Sequence, residues 1–156
     1  DYDRRSGYVM LFRESLLAHA KELGMTVIES EHYEADSFDA QHFVSTVFAH
    51  PDRPTAIINQ ANASVLSQVL MALHDAGMSI PQDVSVLSCG TYFEGEPTRF
   101  PITEMPVMPE ELCAEAMNLL VSAIEEHTDI KGSVELIEPA LKRRGSVAEA
   151  GSGGTI

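Results

Sequence analysis

The stretch from position 89 to position 100 holds the side chains of this 156-residue chain that most suggest chemistry. Glu94 and Glu96 form an acidic pair of the kind that general acid and base catalysis uses. Nothing nearby in the sequence indicates a perturbed carboxyl, so we interpret both as residues of a solvated loop. Tyr92 and Phe93 could stack on the ring of a ligand, and they could equally anchor the loop to a core.

The histidines and cysteines do not form a metal-binding or nucleophilic pattern. His42 and His50 belong to one predicted helical region, but they are eight residues apart, too far for an i,i+4 metal pair. Cys89 and Cys113 are too few for a metal cluster, and we predict that each is a buried free thiol. We therefore predict no catalytic residue, no metal ligand and no cofactor, and hence no enzymatic activity.

The charge balance argues against direct binding to nucleic acid. The chain has 24 acidic and 10 basic residues, a net charge of −14, whereas a phosphate backbone is bound by clustered Lys and Arg. The cluster Lys142-Arg143-Arg144 is interpreted as a solvated strand end. No apolar run is long enough to span a membrane, and the first residues lack the apolar core of a signal peptide. The cytoplasm is therefore the expected location.

The hydrophobic pattern alternates between helical and extended segments. Gly77 can end the third helix in the left-handed conformation, and Pro81 prevents the helix from continuing. The run from Val84 to Leu87 is short and apolar, which is typical of a strand covered on both faces. Ile102 to Met105 is predicted to be an extended crossing segment. The predicted helices are 8–23, 38–49, 63–76 and 109–126, and the predicted strands lie near 25–29, 55–59 and 84–88.

This alternation predicts an α/β domain with a parallel sheet flanked by helices. Ligands of such sheets bind outside the carboxyl ends of the strands. The loops that follow the three predicted strands are residues 30–37, 60–62 and 89–95, and the ligand site is expected there.

Six short motifs occur in order between about residues 4 and 147. They are residues 11–13 (LFR), 54–58 (PTAII), 70–77 (LMALHDAG), 80–86 (IPQDVSV), 101–105 (PITEM) and 144–146 (RGS). Together they resemble the C-terminal effector-binding region of the LacI/GalR family of bacterial transcription regulators. Six motifs in register make the resemblance specific.

The resemblance implies one lobe of a periplasmic-binding-protein-like type I fold, in which two lobes enclose a ligand cleft and a helix-turn-helix headpiece precedes them. Residues 1–147 are then the effector-binding C-terminal lobe, with helix 109–126 as a crossover, and the Gly/Ser-rich residues 148–156 a disordered tail. The headpiece and most of the first lobe are expected to be absent from this chain. An uncovered apolar stripe on the crossover helix would require another subunit or a swapped segment, so a homodimer is expected.

The three ligand-binding positions of the family carry unusual residues here. Tyr8 stands where the family commonly has an Arg, and Ala61-Asn62 replaces an Asn-Asp pair. Gly90-Thr91 replaces a segment whose acid binds sugar hydroxyls. The resulting pocket has few fixed charges and suits a neutral polar ligand such as a sugar-like molecule. Common monosaccharides should nevertheless bind weakly. The predicted ligand-binding residues are Tyr8, Tyr33, Ala61, Asn62, Gly90, Thr91 and Tyr92.

Three functions are compatible with these observations. The first is the effector-binding part of a transcription regulator, which contacts DNA only through the headpiece. The second is a solute-binding receptor of a transporter, and the third is a small α/β enzyme. The closing RGS motif favours the regulator over the receptor, and the missing catalytic pattern argues against the enzyme. The expected partners are a small polar ligand and a second copy of the chain, without a membrane.

Overall fold

The computed structural model describes residues 7–30, 38–60, 63–89, 100–107, 109–132 and 134–149. The chain divides into two compact units, Asp1–Pro54 and Thr55–Ile156. The first unit contains helices α1 (Gly7–Glu22) and α2 (Ala40–Val47). The second contains, in chain order, β1 (Ala56–Asn59), α3 (Ala63–Asp75), β2 (Ser85–Cys89), β3 (Thr103–Met105) and α4 (Pro109–Glu126).

The second unit is built on a parallel sheet with the strand order β1-β2-β3. Ile57 lies opposite Val86, and Leu87 lies opposite Thr103. Because all three strands run in the same direction, their carboxyl ends meet at one edge of the sheet. This confirms the predicted α/β class and the predicted parallel sheet.

Helix α3 supplies one side of the core. Leu66, Leu70 and Leu73 follow the i, i+4, i+7 spacing of one helix face and are almost fully buried. Leu66 and Leu70 pack with Val86 of β2 and Ile102 beside β3. Full burial of each such side chain contributes about 1.5–3 kcal/mol.

The turn after α3 has the geometry that the sequence predicts. Gly77 has a φ of +74°, and its N–H donates to the carbonyl of His74 while the N–H of Met78 donates to that of Leu73. These are the two hydrogen bonds of a helix C-cap built on a left-handed glycine. The carboxylate of Asp83 then accepts a hydrogen bond of 2.8 Å from the N–H of Ser79, which fixes the entry into β2.

The strand predicted at 25–29 is wrong. Residues 25–30 have no regular secondary structure, and the side chains of Met25 and Ile28 are 60% and 57% exposed. The guanidinium of Arg13 instead donates two hydrogen bonds of 2.5 and 2.9 Å to the carboxylate of Glu29, and so ties the end of this segment to α1. An apolar run forms a strand only where a neighbouring strand offers its backbone.

The helix predictions are confirmed. Helix α1 begins and ends one residue earlier than predicted, α2 is two residues shorter at each end, α3 is one residue shorter at its carboxyl end, and α4 is as predicted. The crossing segment predicted at Ile102 to Met105 contains the third strand of the sheet, β3. Cys89 is buried as predicted, but Cys113 is exposed on α4, so that prediction is wrong. Of the expected tail, only residues 148–149 are described.

Candidate functional site

A row of buried polar residues crosses the sheet near the carboxyl ends of its strands. Ser88 on the central strand pairs with Asn59 on one side and with Glu104 on the other, and all three residues are buried; we call them the polar row. The side-chain amide of Asn59 donates to the hydroxyl of Ser88 over 3.4 Å. The sheet is therefore polar where ligands of parallel sheets bind.

The polar row has a signal in the sequence that the motif analysis missed. On each of the three strands, the polar residue stands two positions after an apolar residue. Residues two positions apart share a face of a sheet. The pairs are Ile57 and Asn59 on β1, Val86 and Ser88 on β2, and Ile102 and Glu104 at β3. The same switch from apolar to polar on three aligned strands marks the boundary between the core and the polar end of the sheet.

Glu104 is neutralised by Arg144. Nη1 of Arg144 lies 2.5 Å from Oε1 of Glu104, and the two side chains are 29% and 6% exposed. Arg144 also donates to the carbonyl of Ile102 over 3.3 Å. The basic cluster at 142–144 was expected to be solvated; for Arg144 this is wrong, because the buried carboxylate needs a cation beside it.

Ser146 fastens the C-terminal segment to two strands. Its hydroxyl donates to the carbonyl of Val86 over 2.6 Å and accepts from the N–H of Thr103 over 2.7 Å. The N–H of Val86 donates in turn to the carbonyl of Ser146 over 2.8 Å. Lys142 adds an antiparallel bridge to Glu104. We call residues 142–148 the C-terminal clasp; it gives the closing RGS motif a structural role beside β2 and β3.

Two further residues lie at the carboxyl ends of β1 and β2. Cys89 is buried, and burial raises the pKa of its thiol to about 11. Gln60 directly follows β1, and continuing the register by one residue places it beside Cys89. The side-chain nitrogen of Gln60 is buried and has no hydrogen-bond partner among the residues that the structure describes.

The structure does not test whether the seven predicted ligand-binding residues contact a ligand, so their role stays a prediction. Tyr8 lies in the first turn of α1. The other six lie outside the described residues, as do the acids and aromatics singled out for chemistry: Tyr33, Ala61, Asn62, Gly90, Thr91, Tyr92, Phe93, Glu94 and Glu96. In the part of the chain that the structure describes, no group of three or more His, Cys, Asp or Glu residues could hold a metal ion.

A separate hollow of about 370 Å³ is lined by Met71, His74, Asp75 and Phe100. Because α3 returns antiparallel to the strands, its last residues lie at the amino ends of the strands. The hollow is thus at the far side of the sheet from the polar row, where the loops that bind ligands do not lie. We do not assign the ligand to it.

Comparison with known proteins decides the family. Residues 1–147 match the periplasmic binding protein-like domain. The chain belongs to this family. The match covers almost the whole sequence and confirms both the predicted fold class and the resemblance on which it rested. None of the helices within the described ranges is long and apolar enough to cross a membrane.

Solved structures of LacI family transcriptional regulators share the fold. One from Bifidobacterium animalis subsp. lactis has 24% identity and a TM-score of 0.71, over 91% of this chain and 51% of its own. One from Arthrobacter sp. FB24, in complex with lactose, has 23% identity and a TM-score of 0.64, over 86% and 50%. One from Lactobacillus casei, with bound sucrose, has 17% identity and a TM-score of 0.59, over 86% and 50%.

The chain thus spans about half the length of each of these regulators. At these identities the likeness shows the fold that they share. Among curated proteins, the comparison found no match.

Proposed function

We propose that this chain is the small-molecule effector-binding part of a LacI/GalR-type bacterial transcription regulator. The observation that carries the proposal is the match of residues 1–147 to the periplasmic binding protein-like domain. The polar end of the parallel sheet supports it, because this is the edge at which such sheets bind ligands. Such a regulator acts in the cytoplasm and couples its ligand to DNA through a helix-turn-helix headpiece.

The proposed ligand is a neutral polar molecule such as a sugar or a related polyol. Two regulators of the same fold hold lactose and sucrose. The one acid of the polar row, Glu104, is paired with Arg144, so the described end of the sheet offers no unneutralised carboxylate to a ligand. The proposed ligand-binding residues are those predicted from the sequence, Tyr8, Tyr33, Ala61, Asn62, Gly90, Thr91 and Tyr92.

A transport receptor and a small enzyme are the alternative functions. A receptor of this fold would bind the same class of ligand without any response in DNA affinity. An enzyme would need a nucleophile, an acid–base pair or a metal; among the described residues, no group of three or more His, Cys, Asp or Glu could hold a metal ion. The regulator is favoured because structures of regulators share this fold over most of the chain.

The test uses the full-length protein and two measurements. Thermal unfolding is followed with lactose, sucrose, nucleobases and small organic acids, since a ligand that binds only the folded state raises Tm. A DNA fragment from the region upstream of its own gene is then titrated with and without the stabilising compound. We expect a neutral polyol to raise Tm and to change the affinity for DNA.

Three outcomes would contradict the proposal in different ways. A compound that raises Tm without changing DNA affinity would favour the receptor. Turnover of the compound would favour the enzyme. Sequence-selective, salt-dependent binding of DNA by this chain alone would show that its acidic surface has been misjudged, because a net charge of −14 opposes such binding.

A further inference from the structure

Gln60 has a side-chain nitrogen for which none of the described residues provides an acceptor. The Nε2 atom is buried, and none of the described residues accepts a hydrogen bond from it. A buried donor that has lost water without gaining an acceptor destabilises the folded state, and such groups are rare in native proteins. A ligand bound at this edge would supply the acceptor that the described residues do not.

The place of Gln60 in the sheet agrees with a role in binding. It follows the last residue of β1, at the edge where ligands of parallel sheets bind. On the neighbouring strand, Ser88 pairs with Asn59, so the next residue, Cys89, comes beside Gln60. The side-chain amide of Asn59 already has a partner, because it donates a hydrogen bond to the hydroxyl of Ser88. Of these two described amides, Gln60 is therefore the one whose nitrogen is left to bind something else.

The chemistry around Gln60 restricts the acceptor. The thiol of Cys89 is protonated at neutral pH, since burial raises its pKa to about 11. Removing a charged group from water into such surroundings costs far more free energy than removing a neutral oxygen. In a poorly solvated neighbourhood, a hydrogen bond from an amide to a neutral oxygen is also stronger than in water.

We propose that Gln60 is a specificity-determining residue of the effector site, which donates its side-chain N–H to a neutral oxygen of the ligand. The acceptor is a hydroxyl, ether or carbonyl oxygen of a polyol or sugar. This inference rests on the proposed function. An analogue without that oxygen would bind poorly, because the amide would stay buried and unpaired.

The test compares Gln60→Met with Gln68→Met in the full-length protein. Methionine keeps the length of glutamine and removes its hydrogen-bonding groups, and Gln68 is an exposed position of α3 that serves as the matched control. Thermal unfolding and calorimetry are measured without ligand and with lactose and sucrose, the sugars held by two structural relatives.

Without ligand, we expect Gln60→Met to unfold about 2–4 °C above the wild type, because the unpaired donor is gone. For the sugar that stabilises the wild type, we expect a Kd about tenfold weaker in Gln60→Met. Gln68→Met should change neither value.

Each contrary result has its own meaning. A lower Tm of unliganded Gln60→Met would show that the protein itself satisfies the amide, which overturns the inference. An unchanged Kd in the folded variant would show that the amide does not touch the ligand, which overturns it too. If neither sugar stabilises the wild type, the proposed ligand class is rejected, and the inference falls with it.

Discussion

The guanidinium of Arg144 lies 2.5 Å from the carboxylate of Glu104, and this contact neutralises the acid of the polar row. Glu104 belongs to β3, and Arg144 belongs to the C-terminal clasp, so the ion pair joins the sheet to a segment far away in the chain. The polar end of the sheet and the end of the domain therefore depend on each other for stability.

Arg144→Met should destabilise the protein by about 2–3 kcal/mol. The change leaves the carboxylate of Glu104 buried without its cation, a loss that reaches about 3–5 kcal/mol for fully buried pairs. Here Arg144 is 29% exposed, so solvent moderates the loss. Arg143→Met, at the exposed neighbouring position, is the matched control and should alter stability by less than about 0.5 kcal/mol. Urea unfolding measures both values, and equal effects would contradict a special role for the ion pair.

Ser146→Ala should lower the free energy of unfolding by about 1–3 kcal/mol. The hydroxyl serves the carbonyl of Val86 and the N–H of Thr103 together, and its removal leaves both backbone groups without that partner. Ser122→Ala, at an exposed polar position of α4, is the control and should have little effect. A Tm of Ser146→Ala equal to that of the control would show that the backbone groups find other partners.

The two cysteines should differ strongly in reactivity. Cys113 is exposed, whereas Cys89 is buried and its thiol has a pKa of about 11, so almost no thiolate is present at pH 8. In the native chain, a thiol reagent at pH 8 should therefore modify one cysteine quickly and the second only after denaturant is added. Cys113→Ser should abolish the fast phase. A fast phase that persists in Cys113→Ser would contradict the burial of Cys89.

The raised pKa of the Cys89 thiol predicts that the protein loses stability at high pH. The pKa of Cys89 is raised in the folded state, from 9.0 to about 11, so the unfolded state releases the proton first. The stabilisation is fully present below pH 9 and is lost as the pH rises through about 11. Cys89→Ala should therefore lose less stability than the wild type between pH 9 and 11, as measured by urea unfolding. Parallel pH profiles of the two proteins would contradict the raised pKa.

The sequence predicts α3 and β2 well because their signals are local. The spacing of Leu66, Leu70 and Leu73 and the left-handed Gly77 act within a few residues of one another. Strand β3 was harder to predict, because it carries Glu104, whose charge is tolerated only beside the distant Arg144. The segment at 25–29 shows the converse, since its apolar residues look like a strand but do not form one.

The candidate site was predictable only in part. The parallel sheet tells which edge to search, but the ligand residues named from the sequence rest on a resemblance. Gln60 could be placed at that edge from its position after β1, but the lack of an acceptor for its amide appears only once the side chains are packed. The partners of a buried polar group depend on the whole fold, which short motifs do not encode.

The exposed face of α4 leads to the last prediction. Leu120 and Ile124 are 45% and 64% exposed, and Leu112, Met117 and Val121 extend the same apolar surface. The opposite side of the helix carries the polar residues Glu111, Glu115, Asn118, Ser122 and Glu126. An apolar surface of this extent is typical of an interface. We propose that it is covered by a second copy of the chain.

Leu120→Asp should then shift the protein from dimer to monomer, because it puts a carboxylate into the apolar surface, where desolvation is costly. Asn118→Asp introduces the same charge on the polar side of α4 and should leave the dimer intact. Light scattering coupled to size exclusion, at several protein concentrations, measures the change. A monomeric wild type would contradict the proposed dimer. A wild-type dimer that Leu120→Asp leaves unchanged would show that the subunits associate through another surface.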